Sequence, residues 1–241
     1  MNIHCNEELF DRFPSATIHG MVVELVNCVT MTDANDWKRR AAEAVSQSGV
    51  SIELLSEHPV MRDWRSSYKA FGLKPSKYRS SIEQLYRRAL KGNLIETAIP
   101  LVNIYSYISI ISMAPMGGYD LIEIKGDVEV RLTIEGEEFS GLGGTEPIKT
   151  QAGVVAYSDA QGIICWGWNY RDCDRTCLRD KTTKAIFFAD SCSESNRKMA
   201  ETALDLLEWF FRDKSCSISS RFTLRHGSAT VSISAPNQAL N

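Results

Sequence analysis

The chain has 241 residues, of which 44% are hydrophobic and 24% are charged, and its formal net charge is −3. This length accommodates one large domain or one domain with a small annex, and the composition is that of an ordinary soluble globular protein. The slightly acidic balance excludes a positive field over the whole chain, although it does not exclude a local basic patch.

The cysteines and the apolar segments indicate the cellular compartment of the protein. Seven cysteines at irregular spacing argue against a disulfide framework. The start, MNIHCNEELF, lacks the apolar segment of a secretory signal, and the most apolar stretch, 99–116, is interrupted by prolines and polar residues. We therefore expect a cytoplasmic protein without a membrane partner.

The N-terminal part of the chain predicts a strand followed by helices. Residues 18–30 are rich in valine and predict the strand. The next segment, DANDWKRRAAEAVSQSG, predicts a helix that Thr32 or Asp33 caps and that Gly49 ends.

Two further helices are predicted before residue 93. Pro59 marks the start of one, because proline suits the first turn of a helix. The other follows Ser80, which with Glu83 matches a capping box, in which a hydroxyl and a carboxylate bind each other's backbone amide.

The middle of the chain predicts strands. VNIYSYISIIS (102–112) is β-branched and aromatic, and DVEVRLTI (127–134) alternates apolar and polar residues. The segments AGVVAYSD and IICWGW are separated by Ala-Gln-Gly and predict a hairpin, and KAIFFAD (184–190) predicts another strand.

The C-terminal part predicts one late helix over 197–212, followed by a hairpin formed by CSISSRFTL and SATVSIS. Helices first, a sheet in the middle and one late helix indicate an α+β fold. We expect one domain over residues 1–214, with a core at about 64–190, and a C-terminal hairpin or tail over 215–241.

A basic segment covers residues 65–91, where eight bases and one acid, Glu83, give a local charge of +7. Clustered Lys and Arg bind phosphates, and interleaved aromatic residues stack on bases. The aromatic residues here are Tyr68, Phe71, Tyr78 and Tyr86. The alternative is a solvated helix face on which the bases complement the helix dipole.

Two glycine-rich stretches accompany the predicted sheet. In PMGGYDLIEIKGD, the paired glycines Gly117 and Gly118 allow close approach of another group to the backbone, although a plain turn explains them equally. EEFSGLGGTEP lacks the spacing of a dinucleotide-binding loop and no predicted helix follows it, so we interpret it as a turn that walls a pocket.

The stretch ICWGWNYRDCDRT (164–176) combines two tryptophans with opposed charges. Asp174 in an apolar cleft would bind an amino or guanidinium group, whereas an exposed ion pair with Arg171 would contribute little. Cys173 and Cys177 lack a nearby histidine, so we predict no metal site.

No nucleophile signature is present, since a G-x-S-x-G elbow is missing and the four histidines lie outside the sheet region in which the other motifs cluster. A hydrolase of this sequence would activate water without a covalent intermediate.

An ordered series of segments resembles the B3/B4 domain of the phenylalanyl-tRNA synthetase β-subunit, and resembles its free-standing relatives more closely. The series is YKAFGLKPSKYRSSIEQLYRRALKG, LVNIYSYIS, PMGGYD, VRLTIEGEEFSGLGG, VVAYSD and WNYRDCDRTCLRDKTT. The resemblance covers roughly residues 64–190. It implies a mixed α/β editing domain that hydrolyses the ester of a mischarged tRNA, with no metal or organic cofactor.

The resemblance also implies roles for individual residues. Ser106 stands where the synthetase motif has Asn, Gly117 stands where it has His, and Asp174, beside Thr176, falls near its specificity-setting glutamate. The expected catalytic group is Asp174, Thr176, Gly117 and Gly118. The expected substrate-binding group is Ser106, Tyr119, Asp120, Glu138, Gly143, Gly144, Trp168 and Arg171. The expected tRNA-binding group is Lys74, Lys77, Arg79, Arg87, Arg88 and Lys91.

These expectations combine into one principal hypothesis, a stand-alone trans-editing deacylase whose partner is an aminoacylated tRNA. An aminoacyl ester is already activated, so the enzyme needs mainly to place water and stabilise an oxyanion. The absence of a His side chain at Gly117 enlarges the pocket. The carboxylate of Asp174 suits a cationic substrate group, with canavanyl-tRNA(Arg) as the candidate substrate. The alternatives are a non-catalytic tRNA- or RNA-binding module and a protein-interaction domain.

Overall fold

A computed structural model describes residues 1–25, 29–144 and 146–234. Three parts of the predictions therefore lie outside the described residues, namely 26–28 of the first predicted strand, position 145 of the second glycine-rich stretch and the end of the C-terminal tail. The helices in these ranges are α1 (Glu7–Arg12), α2 (Met31–Gln47), α3 (Pro59–Ala70), α4 (Ser81–Leu90), α5 (Pro100–Ser112) and α6 (Glu194–Asp213).

The strands form three sheets of very different size. They are β1 (Asn2–Cys5), β2 (Thr17–Glu24), β3 (Met116–Asp120), β4 (Val128–Leu132), β5 (Glu138–Phe139), β6 (Ile148–Lys149), β7 (Val155–Asp159), β8 (Gly162–Trp166), β9 (Arg171–Asp172), β10 (Lys184–Ser191), β11 (Ser217–Leu224) and β12 (Thr230–Ser232). A six-stranded sheet has the order β12-β1-β4-β7-β8-β9, a four-stranded sheet has the order β11-β2-β10-β3, and β5 pairs with β6.

The fold is α+β, as predicted. The six-stranded sheet is mixed, because β1 runs parallel to β4 whereas its other pairs are antiparallel. Helix α6 packs on β10 of the four-stranded sheet, and α5 packs between α6 and α2. This arrangement buries both elements that later form the walls of the site, β3 and β10.

Several predicted elements are present because their local signals agree with their packing. Helix α3 begins at Pro59, and β7 and β8 form the predicted hairpin. The continuous apolar run of β10 lies between two neighbouring strands and is buried along nearly its whole length, which is why it does not alternate.

The strand predicted over 102–112 is wrong, since these residues form helix α5. Pro100 lies in the first turn of this helix, and the Asn103 side-chain oxygen accepts a hydrogen bond from the Thr97 amide at 2.8 Å. The helix is buried on most sides because it packs against α2, α4, α6 and β3. A helix that is covered on all sides needs apolar residues all round, and this removes the helical periodicity from the sequence.

The cap predicted for α2 is also wrong. Thr30 caps this helix, and its side chain accepts a hydrogen bond from the Asp33 amide while the Asp33 carboxylate accepts one from the Thr30 amide. Asp33 is therefore the third helical residue of a capping box and does not occupy the cap position itself.

The predicted C-terminal hairpin does not form one ladder. Strand β11 pairs with β2 in the four-stranded sheet, and β12 pairs with β1 in the six-stranded sheet, with only an isolated bridge between Arg225 and Ser228 at the turn. The two strands separate because each one completes the edge of a different sheet. The domain boundary at residue 214 stays a prediction.

Within the described ranges, none of the helices combines the length and the apolar character that crossing a bilayer requires.

Candidate active site

A small cavity lies where β3 and β10 of the four-stranded sheet meet β7, β8 and the segment 168–172. Its volume is about 60 Å³, which is room for a few water molecules. The lining residues are Ser81, Met116, Gly117, Tyr119, Tyr157, Cys165, Trp168, Asn169, Tyr170, Asp172, Phe188 and Asp190. This lining contains two carboxylates and no Lys, Arg or His.

Each carboxylate of the cavity is held by a tyrosine. The Tyr119 hydroxyl donates to Asp172 Oδ1 at 2.7 Å, and the Tyr157 hydroxyl donates to Asp190 Oδ1. Asp172 ends β9 and Asp190 lies near the end of β10, so the two acids reach the cavity from different sheets. The sheets therefore fix the position of both groups.

Burial raises the pKa of both acids. Desolvation raises the pKa of Asp190 from its usual value to about 7, while the hydrogen bond from Tyr157 and the Asn169 side chain oppose this shift. Desolvation also raises the pKa of Asp172, against hydrogen bonds from Tyr119 and Cys165. A carboxyl with a pKa of about 7, such as that of Asp190, exchanges its proton near neutral pH, and both acids gain from a cationic partner.

Trp168 forms the inner wall of the cavity. Its side chain is fully buried, its φ is +63°, and its ring meets those of Trp64 and Phe13 at centroid distances of 5.2 Å. The Tyr68 hydroxyl donates to the Gly167 carbonyl at 2.7 Å. These contacts hold the turn after β8 in a left-handed conformation that aims Asn169 and Tyr170 at the cavity.

A second, outer pocket of about 160 Å³ adjoins the cavity, and Tyr170 lines both. It is lined by Tyr78, Phe139, Gly141, Gly144, Glu146, Ile148, Trp166, Tyr170 and Arg171. Its aromatic residues contact one another, since the Tyr78 ring lies 5.4 Å from that of Trp166 and 5.3 Å from that of Tyr170. The outer pocket is therefore flat-walled and aromatic, whereas the inner cavity is acidic.

The basic segment is organised around one buried acid. The Glu83 side chain is 1% exposed, and its Oε1 lies 2.9 Å from Arg65, 3.5 Å from Arg79 and 3.0 Å from Arg87. The Ser80 side chain accepts a hydrogen bond from the Glu83 amide, as the capping box predicts, but the Glu83 carboxylate forms ion pairs with the three arginines. The exposed bases that remain are Lys69, Lys74, Lys77, Arg88 and Lys91.

The aromatic residues of that segment are not a stacking surface. Tyr68, Phe71 and Tyr86 are buried in the core, and the half-buried Tyr78 lines the outer pocket. Only Tyr78 is therefore placed to contact a ligand.

The family model of the B3/4 domain matches residues 63–207, more than half of the chain. The chain belongs to the B3/4 domain family. An N-terminal fragment of the phenylalanyl-tRNA synthetase β-subunit from Pyrococcus horikoshii is structurally similar, with a TM-score of 0.45 and 10% identity. The match covers 92% of this chain and 53% of that fragment, so the chain spans about half the fragment's length. None of the curated proteins matches.

In this B3/4 domain, five of the residues predicted from the sequence line one of the two pockets. Gly117, Tyr119 and Trp168 lie around the inner cavity, and Gly144 and Arg171 lie around the outer pocket. Arg171 spans the rim of the outer pocket, where its guanidinium donates to the Leu142 carbonyl at 2.8 Å. Residues that are distant in sequence thus share one site.

Asp174, expected in the pocket, lies at the surface. Its side chain is 65% exposed and accepts a hydrogen bond from Arg179 at 2.8 Å. The side chains of β9 alternate, so Arg171 faces the outer pocket and Asp172 faces the cavity, and the chain then turns away. Thr176 is fully buried, and its carbonyl accepts from the Asp120 amide at 2.9 Å.

Other predicted residues have packing or surface positions. Ser106 is buried within α5, and Gly118 packs against Phe187. The Asp120 carboxylate accepts from the Thr182 hydroxyl at 2.7 Å, which ties β3 to the loop before β10. Two more residues are exposed outside both linings, namely Glu138 and Gly143.

Sequence reasoning missed the acids that line the cavity. Asp172 stands in the quoted stretch, two residues before the one chosen, and strand alternation would place both on one face, so this pattern could not separate them. Asp190 ends the apolar run of β10, where a carboxylate after buried residues indicates a functional position. Tyr157 had no separate signal, because tyrosine is common in strands.

The four histidines were expected to lie outside the sheet region in which the other motifs cluster. His4 lies in β1 and His19 lies in β2, where it is 5% exposed. Neither lines the inner cavity or the outer pocket. Among the residues that the structure describes, no group of three potential ligands has the geometry of a metal site.

Proposed function

We propose that this B3/4 domain protein is a trans-acting aminoacyl-tRNA deacylase whose substrate carries a cationic amino acid, with canavanyl-tRNA(Arg) as the first candidate. The observation that carries the proposal is the inner cavity, in which Asp172 and Asp190 converge without a basic side chain in the lining. A guanidinium or ammonium group would replace, through charge-assisted hydrogen bonds, the water that the desolvated Asp172 carboxylate loses.

The sizes of the two pockets suggest how the substrate divides between them. Pockets for an aminoacyl adenosine have volumes of about 300 Å³ or more, so the inner cavity of about 60 Å³ holds only the cationic end and the nucleoside extends through the outer pocket of about 160 Å³ towards solvent. The outer pocket offers the half-buried rings of Tyr78 and Tyr170 as stacking surfaces for a terminal adenine. In this arrangement the cationic end enters the cavity and the ester lies near Tyr170.

The reaction needs one water and no covalent intermediate. The water oxygen attacks the ester carbonyl as one of its protons passes to a base. The tetrahedral oxyanion then collapses, and the ribose oxygen leaves with that proton. Asp190, whose pKa is about 7, is the base we propose, since a base is most effective when its pKa is near the operating pH. Asp172 is then the carboxylate that binds the cationic group, so the two acids have separate roles. Gly117 and Gly118 follow each other in β3, where successive backbone amides point in opposite directions, so at most one of these two amides donates to the oxyanion.

The exposed bases of the segment 65–91 supply the proposed contact with tRNA. Lys74, Lys77, Arg88 and Lys91 are exposed, and Tyr78 of the same segment lines the outer pocket. Phosphates bound by these bases would lead the acceptor end towards the pocket. Arg79 and Arg87, also expected to bind tRNA, are partly committed to Glu83.

The deciding experiment is a deacylation assay over a panel of mischarged tRNAs that includes arginyl, lysyl and canavanyl esters. We expect rapid release from a cationic member and a loss of at least tenfold in Asp172→Asn and Asp190→Asn. Asp174→Asn is the matched control, because its carboxylate lies outside the cavity. Release at the spontaneous rate for every member, or equal loss in the control, would reject the proposal.

A non-catalytic tRNA-binding module is the second candidate, and Gly117 favours it. The resemblance to the synthetase domain places a histidine at this position, whereas here only backbone faces the cavity. This candidate predicts salt-dependent tRNA binding without turnover. Replacement of Arg88 and Lys91 by Ala weakens binding under both candidates, so only the deacylation assay separates them.

A further inference from the structure

A third, polar pocket lies on the opposite face of the four-stranded sheet from the acidic cavity. It has a volume of about 380 Å³ and is lined by Thr17, His19, Arg197, Glu201, Thr223, Arg225 and Ser228. Across the sheet, His19 pairs with Ala189 of β10 and with Thr223 of β11. Phe188 and Asp190, which line the cavity, are the neighbours of Ala189 along β10. Since side chains alternate along a strand, the pocket and the cavity occupy opposite faces.

The floor of this pocket is a network of hydroxyls around a neutral histidine. His19 Nε2 lies 2.9 Å from Thr17 Oγ1, and its Nδ1 lies 3.0 Å from Thr223 Oγ1. Thr17 Oγ1 also lies 2.6 Å from Ser191 Oγ. Burial lowers the pKa of His19, so the ring is uncharged at neutral pH and fixes the hydroxyls beside it.

Two arginines from different parts of the chain line the pocket, Arg197 of α6 and Arg225, which follows β11. The Nη2 atom of Arg197 forms an ion pair with Glu194 Oε2 at 2.7 Å, but the buried Nε of Arg197 has no hydrogen-bond partner among the described residues. Arg225 takes part in no ion pair among the residues that the structure describes. Guanidinium groups with few acceptors gain free energy from an added oxygen acceptor, so an anion in the pocket that these two arginines line would be stabilised.

We propose that this pocket binds a small oxyanion, the phosphate or carboxylate group of a small molecule. Two guanidinium groups and the hydroxyls of Thr223 and Ser228 are the donors that such a group requires, and guanidinium recognises both geometries. Glu201 is the one acid in the lining, and it accepts from a hydroxyl or amine on the remainder of the ligand. The volume lies in the range of small-molecule sites.

The test is isothermal titration with inorganic phosphate and, separately, with malonate, together with the NMR signals of the His19 ring. We expect saturable binding of at least one anion and a shift of the His19 signals on saturation. Binding of phosphate alone assigns a phosphate ester, and binding of malonate alone assigns a carboxylate. Absence of saturable binding of both anions overturns the proposal.

Variants connect the binding to this pocket. Arg225→Ala should weaken the affinity about tenfold or more, as expected for the loss of a charged hydrogen bond. Thr223→Val, which keeps the side-chain shape on an exposed strand position, should also weaken it. Lys181→Ala removes the same charge from an exposed position beyond the lining and should change the affinity less than twofold. Equal affinity in all three variants would place the anion elsewhere. tRNA deacylation should be unchanged in Arg225→Ala, which separates this site from the cavity.

Discussion

Replacement of Asp190 by Asn tests the electrostatic basis of the proposed active site. The pKa of Asp190 is about 7 because the folded protein removes water from its carboxylate. The folded state therefore binds the proton more tightly than the unfolded chain, where the pKa is about 4. By linkage, the stability of the wild type falls as the pH rises from about 4 to about 7.

The size of the effect follows from the difference between the usual pKa of an Asp side chain, 3.8, and the pKa of Asp190, about 7. At pH 8 the ionised Asp190 lowers the free energy of unfolding by about 4 kcal/mol. Of this loss, about 3 kcal/mol develops between pH 5 and pH 8. Asn carries no charge, and its oxygen accepts the Tyr157 hydrogen bond as the carboxylate does. Asp190→Asn should therefore be more stable than the wild type at pH 8, by up to about 4 kcal/mol.

The measurement is urea unfolding of both proteins at pH 5, 6, 7 and 8, with the difference in unfolding free energy plotted against pH. Asp180→Asn, at an exposed turn position, is the control and should run parallel to the wild type. A difference between Asp190→Asn and the wild type that stays constant over this range would refute the argument, because the carboxyl would then not titrate between pH 5 and 8.

Three further predictions rest on other parts of the structure. Glu83→Gln should lower the unfolding free energy by about 3 kcal/mol in urea, because three arginines lose their shared carboxylate; an unchanged midpoint would contradict this. Gly118→Ala should lower the free energy of unfolding by about 1–3 kcal/mol, since a Cβ would lie 2.8 Å from the buried Phe187 ring. A melting temperature equal to that of the wild type would contradict this. Deacylation should rise through about pH 7 with the ionisation of Asp190, and a flat pH profile would exclude this base.

Local sequence signals predicted those elements whose neighbours reinforce them. The helix that starts at Pro59, the hairpin of β7 and β8 and the strand β10 all follow from short-range patterns. The helix α5 could not be predicted in this way. Its β-branched, aromatic sequence favours a strand, and its helical state depends on burial among α2, α4, α6 and β3, which periodicity does not record.

The candidate site was also predicted only in part from local sequence patterns. The glycines before Tyr119 and the tryptophans before Tyr170 indicated a pocket, and Gly117, Tyr119 and Trp168 do line one cavity. The choice between Asp172 and Asp174 depended on where β9 ends. In a continuous strand the two side chains would share a face, but the strand ends at Asp172 and the chain turns away before Asp174. Asp190 could be assigned only once β10 was known to lie between β2 and β3.

The amino-acid sequence by itself determined that this protein has an α+β fold of the B3/4 type with a basic segment before its sheet, because these features reside in composition, order and short-range pattern. Only the tertiary structure decided which acids meet. Asp172 and Asp190 come from two different sheets, their pKa values rise because the surrounding core excludes water, and the same packing turns Asp174 to the surface. Burial and convergence depend on contacts between distant segments, which short-range patterns in a sequence do not encode.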